Sequence, residues 1–183
     1  MGVLSVSDKE RVARILSTEW FVDGVLQNLA FTLLVGETYI SVNRPAIDSY
    51  DSDVASFVEK HPKYAFGEGF YRRAILNVRE IRDIKVNAFG EVLNVDVEVE
   101  PRDTFTRSHA GIFTRYGNRN VKPGDIFLSL EKGVSADDIL MKVRSQLMKL
   151  STIEHLSLCH TENTEITENE LRHTDLTDLT DFC

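Results

Sequence analysis

Residues 106–116, T-R-S-H-A-G-I-F-T-R-Y, bring small, apolar, cationic and titratable side chains together. Read as a strand, they place Arg107, His109, Gly111, Phe113 and Arg115 on one face, and Ser108, Ala110, Ile112 and Thr114 on the other. The second face suits a core. The first carries two arginines and a histidine beside a glycine, which fits either an anion or a wet outer surface.

The flanking segments extend the same pattern. Upstream, Val95, Val97 and Val99 alternate with Asp96, Glu98 and Glu100, as in an antiparallel sheet with one face in water. Residues 84–86 are expected to pair with them across a Phe89-Gly90 turn. Residues 38–43 are β-branched and aromatic, with Tyr39, Ser41 and Asn43 facing one way and Ile40 and Val42 the other; Arg44-Pro45 ends that strand. Residues 70–78 and 126–130 read as further strands, and 78–82 as a turn or short helical bend. Residues 25–35 fit a helix or a buried strand.

Helices are expected at both ends of this sheet. Ser7-Asp8-Lys9-Glu10 has the capping-box pattern, and Val12, Ile15 and Leu16 follow at helical spacing, predicting a helix over 8–18 with Trp20 as its core anchor. Asp51 or Ser52 caps a second helix, with Val54, Phe57 and Val58 on one face and His61-Pro62 as the stop. Ser135 caps the third, whose stripe is Ile139, Leu140, Val143, Leu147 and Leu150, with Lys142, Arg144 and Lys149 outside. The prediction is an α+β single domain: an antiparallel or mixed sheet of about five to seven strands, with N- and C-terminal helices, over residues 1–151.

Charge divides the chain at that boundary. The net charge is -8; residues 152–183 hold eight acids and one base, Arg172, leaving 21 acids and 20 bases in residues 1–151. The second segment is acidic and Thr-rich, with spaced Leu and Phe, and is expected to be a disordered, flexible tail that docks on a partner or merely solvates the terminus. The near-neutral body gives no global attraction for nucleic acid. No apolar run approaches the ~18 residues of a membrane span. Two cysteines, Cys159 and Cys183, make no disulfide framework, so a reducing, cytoplasmic setting is expected.

Among constellations that carry chemistry, the basic segment stands first. Between Pro101 and Pro123, Arg102, Arg107, Arg115, Arg119 and Lys122 face only Asp103, with aromatic residues interleaved. Arginine forks suit phosphate or carboxylate, whereas Asp96, Glu98 and Glu100 across a hairpin would neutralise them. His109 is the candidate acid or base, serving a nucleophile such as Ser108 or Ser41; adjacency in a strand turns Ser108 away from it. Gly111 marks close approach by a ligand or by another strand. The three acids of residues 96–100 read as a solvated face rather than a metal cluster. His155 and Cys159 would share a face if the last helix continued, but with His160, His173 and Cys183 they match no zinc spacing. No metal or cofactor is expected.

Tyr39-Ile-Ser-Val-Asn-Arg44, Leu76-Asn-Val-Arg-Glu-Ile-Arg82 and Ser108-His-Ala-Gly-Ile112 follow one another in a layout that resembles small uncharacterised bacterial proteins with an ISV-x-R … IR … HA-x-I pattern. The resemblance spans residues 19–150 and implies no activity. It does imply that Ser41, Arg44 and His109 belong to one surface, with the acidic tail outside it.

Two functions follow as expectations. The first is a non-enzymatic module that binds a protein partner through the acidic tail. The second is a small enzyme or sensor that binds a phosphate- or nucleotide-containing ligand through Arg44, His109 and Arg115, with Tyr39, Ser41 and Arg107 alongside.

Overall fold

The structure, a computed structural model, describes residues 5–67, 69–88, 91–102, 106–125 and 134–158. Its first strand, β1 (Arg11–Ile15), stands where the N-terminal helix was expected. Ser7 and Glu10 do bond reciprocally, the Ser7 N–H donating to Glu10 Oε1 at 2.8 Å and the Glu10 N–H to the Ser7 carbonyl at 3.0 Å. They close a turn and not a helix. Val12 and Leu16 then enter one core cluster, while Ala13 and Ile15 enter another on the opposite side. A central strand buried on both faces shows no polar alternation, so its apolar spacing imitates a helical stripe.

The following elements are short. β2 (Phe21–Val22) and β3 (Val25–Leu26) form a hairpin closed by Asp23 and Gly24, both at positive φ (51° and 77°), as a two-residue primed turn requires. A 3-10 turn, Asn28–Phe31, comes next. Residues 25–35 are therefore neither one helix nor one buried strand, and Val35 is 92% exposed. Trp20 packs edge-on to Tyr64 at 6.0 Å and carries the Arg14 guanidinium at 4.8 Å.

β4 (Ile40–Asn43) matches its expected limits closely. α1 (Tyr50–Lys60) has its N-cap at Ser49, two or three residues ahead of the expected caps, with the Ser49 hydroxyl bonded to Asp53 Oδ2 at 2.9 Å. It buries Tyr50, Val54 and Val58 against Ala13, Ile15, Tyr71 and Ile75. β5 (Phe70–Asn77) and α2 (Val78–Arg82) follow as the sequence suggests. The hairpin after them differs. β6 (Asn87–Ala88) pairs only with β7 (Glu91–Val92), whereas β8 (Val95–Pro101) pairs with β9 (His109–Tyr116).

β10 (Arg119–Asn120) turns back on β9, and α3 (Ala136–Leu150) carries the expected capping box of Ser135 and Asp138. The strand expected at 126–130 lies outside the described residues. The chain does not leave the domain at Ser151, because β11 (Thr152–Ser157) pairs along the whole of its length with β5. Six residues assigned to the flexible tail are thus a strand of the sheet.

The result is an α+β domain around an antiparallel sheet whose described residues form seven strands, in the order β10-β9-β4-β1-β5-β11, with β8 on β9. α3 seals one side over Val12, Val42, Leu76, Ile112 and their neighbours, and α1 covers the β1–β5 part of the other. Among the described residues, no helix is long and apolar enough to cross a membrane.

Candidate functional site

On the α1 side, but beyond α1's core cluster, strands β4, β9 and β8 present a second group of side chains. Register fixes its membership: Ser41 is opposite Gly111, Asn43 opposite His109, and Glu98 opposite Phe113. Ser41 and His109 are therefore diagonal neighbours, within reach across adjacent strands. The Ser41 hydroxyl and His109 Nε2 are hydrogen-bonded at 2.8 Å. Ser41 is exposed, while His109 is 5% exposed. Burial, and then the positive charge of Arg102, hold the imidazole below its ordinary value of 6.5, so it is neutral at pH 7. A surface hydroxyl is thus backed by a buried neutral base.

The rings beside this pair account for Gly111. Tyr39 lies over it so closely that a Cβ there would sit 2.6 Å from Tyr39 Cδ2 and 3.0 Å from Phe113 Cε2. The close approach expected at this glycine comes from the Tyr39 side chain. Tyr39 stacks obliquely on Phe113 at 5.1 Å and lies 5.9 Å from the His109 ring. Arg102 caps both, with its guanidinium 5.1 Å from the Tyr39 centroid and 5.8 Å from that of Phe113. Its backbone N–H donates to the His109 carbonyl at 2.8 Å, continuing the β8–β9 ladder past Pro101.

Other arginines of the region have carboxylate partners. Arg115 meets Glu100 at 2.6 Å and bonds Asn120 Oδ1 at 3.2 Å while standing over Phe113. Arg82 bridges Glu98 at 3.0 Å and also Asp8. Arg102 forms no ion pair with a described residue, and its buried Nε finds no hydrogen-bond partner among them. Among the described residues it is the cation of this face left with capacity for an anion.

Of the sequence candidates, Tyr39, Ser41 and His109 are brought together, and Arg115 flanks them. Arg44 is not. It follows Asn43, so alternation sends it to the opposite side, where it is 4% exposed and doubly bonded to Glu10 at 3.0 and 3.1 Å. Burial raises the Glu10 carboxyl, but Arg44 and the Ser7 N–H outweigh it, and the net direction is down. The expectation that Arg44 and His109 converge is therefore corrected. Arg107 is exposed in the turn before β9, which starts at His109, so it does not share the strand face assigned to it. Ser108, in the same turn, is fully buried and donates to Asp53 Oδ2 of α1 at 2.7 Å, so its hydroxyl is bonded to α1 and the expected strand alternation does not apply to it.

His155 lies on β11 and not on a continued helix; its Nδ1 accepts from Arg72 Nε at 3.1 Å. Cys159, His160, His173 and Cys183 lie outside the described residues. Arg102 and Phe113, expected in the basic segment and on the His109 face, are site residues that the sequence did not assign to the site. The alternation of Asp96, Glu98 and Glu100, carried two residues further, points to Arg102 directly. Beneath Ser41, Arg14 donates Nη1 to the Ser41 carbonyl at 2.6 Å and Nε to that of Ala30, fixing the strand that presents the hydroxyl. No protein-family model, curated protein or solved structure matches this chain.

Proposed function

We propose that this protein binds a phosphate-bearing small molecule on the β4–β9–β8 face, as a sensor or as an enzyme acting on that ligand. One observation carries the reading: an arginine without a carboxylate partner among the described residues is stacked on two rings beside an exposed serine and a buried neutral histidine. Arg102 supplies charge and paired N–H donors, and Ser41 offers a hydroxyl at the surface. The exposed part of Tyr39 gives a planar ligand an aromatic surface. His109, within hydrogen-bond reach of Ser41, is placed to accept its proton if the hydroxyl reacts. Arg115, already held by Glu100, plays the lesser part.

The test is thermal melting of the full chain against inorganic phosphate, sugar phosphates and nucleotides. A ligand at a hundred times its Kd adds about 2.7 kcal/mol, which raises Tm by roughly 5–10 °C for a domain of this size. Arg102→Gln and Ser41→Ala should each abolish the shift while leaving the unliganded Tm nearly unchanged. A panel without any shift removes the proposal.

A second proposal, a cytosolic protein-binding module that docks through its acidic C-terminal segment, gains one observation. β11 delivers the chain to the outer edge of the sheet, beside the half-exposed Ile153. A peptide of residues 159–183 that retains no defined partner captured by the full chain would end that reading.

A further inference from the structure

The strands that present Ser41 and His109 also line a cleft on their other side. Ile40 and Thr114 form its floor, and α3 its wall. The cleft has a volume of about 270 Å³, just below the roughly 300–1,000 Å³ of drug-sized sites, so an occupant must be small. Phe31, Leu33, Leu140, Met141 and Val143 make most of its lining apolar.

Arg144 breaks that pattern. The helical stripe predicts it on the outer surface, yet it lines the cleft and donates Nη1 to Thr32 Oγ1 at 3.0 Å. Its Nε is buried without a hydrogen-bond partner among the described residues, and it forms no ion pair with any of them. Asp137, the one carboxylate among the described lining residues, stands seven residues earlier on α3, about 10 Å along the axis. It accepts instead from the Gly124 N–H at 3.2 Å. The cleft thus has a cationic end and an apolar body, with its one acid at the far end. A guanidinium that no described carboxylate pairs with, bordering apolar surface, favours an occupant that carries one negative charge and little other polarity.

We infer that this cleft is a binding site for a small amphipathic monocarboxylate, its carboxylate on Arg144 and its hydrocarbon against Phe31, Leu140 and Met141. The site is independent of the phosphate reading, since a sheet separates the two.

Octanoate is the probe, titrated into the full chain by calorimetry and by amide chemical-shift mapping. Saturable binding is expected, with shifts concentrated on α3 and on residues 31–33. Arg144→Gln should weaken it at least tenfold, and Met141→Trp, placed at the 47% exposed rim, should weaken it by blocking the mouth without touching the charge. Ser41→Ala should leave it unchanged, which separates this site from the other face. Melts of each variant in the absence of octanoate identify any that fail to fold, and Met141→Trp keeps the test decisive should Arg144→Gln be one of them. Octanoate that does not bind, octanol that binds as tightly as octanoate, or a folded Arg144→Gln with undiminished affinity would each overturn the assignment.

Discussion

Strands β4 and β9 show two ways of covering a sheet. Toward α3, Ile40, Val42, Ala110 and Ile112 are buried, and the strand positions on this side are apolar apart from Thr114 and, past the end of β4, the ion-paired Arg44. Toward the other side, His109 and Phe113 are almost as deeply buried, but what covers them includes Tyr39 and the guanidinium of Arg102. Where the helix lies directly on the sheet, the strands present almost no polar side chain to it. A cover of side chains leaves a hydroxyl, a guanidinium and a phenol at its outer boundary, backed by a buried imidazole. That difference, and not depth of burial, sets the Ser41–His109 face apart from the side on which α3 packs.

The comparison breaks most visibly on the α3 side. Ile112→Ala leaves a cavity among helix-sealed neighbours and should cost about 2–5 kcal/mol in denaturant unfolding, with any phosphate-induced stabilisation retained. Arg44 gives the next effect. Arg44→Met strands the Glu10 carboxylate in a partly buried setting, a loss of about 2 kcal/mol, again without changing ligand response, because the pair belongs to the wrong side of the strand. Were Arg44→Met to abolish ligand response in a folded protein, the separation of the two sides would be mistaken. Gly111→Ala should cost about 1–3 kcal/mol by pushing Tyr39 off its seat. This variant should lose ligand response as well, as ring-current shifts at Phe113 and His109 would register.

Much of this was legible in the sequence. Alternation over residues 38–43 and 95–100 gives both strands with their correct faces, and the Ser135 box with its apolar stripe gives α3. Strand reading of that kind places Tyr39, Ser41 and His109 together. It also explains the failures. Arg44 lies one position past Asn43, and a single step in a strand reverses the face. Arg107 lies two before His109, which matters only if the strand extends that far, and a turn intervenes. Arg102 follows a proline that looks like a stop, yet Pro101 ends β8 without ending the ladder, since the Arg102 N–H still bonds the His109 carbonyl. β1 eluded reading because burial on both faces erases the period of two. β11 eluded it because acidic and Thr-rich composition resembles a tail; its Glu154 is in fact ion-paired with Arg73 at 2.7 Å across the strand pair.

The smallest effect, and the sharpest on the site itself, is the pH dependence that His109 imposes. Its folded-state value lies below 6.5, so between that value and 6.5 the unfolded chain binds more protons than the folded one. Stability from this residue is therefore fully present above pH 6.5 and declines as pH falls through the folded value. His155, depressed by partial burial and by Arg72, acts in the same direction from the opposite edge of the sheet. Glu10 contributes only further down, below its ordinary 4.5. His109→Gln and His155→Gln should each flatten part of the stability profile just under pH 6.5, and imidazole shifts followed by NMR assign each titration. If the side-chain cover works as described, Arg102→Gln, which removes a neighbouring positive charge, should move the His109 midpoint upward. A midpoint that stays put would mean that Arg102 does not reach the imidazole, and the anion and hydroxyl halves of the site would have to be treated as separate.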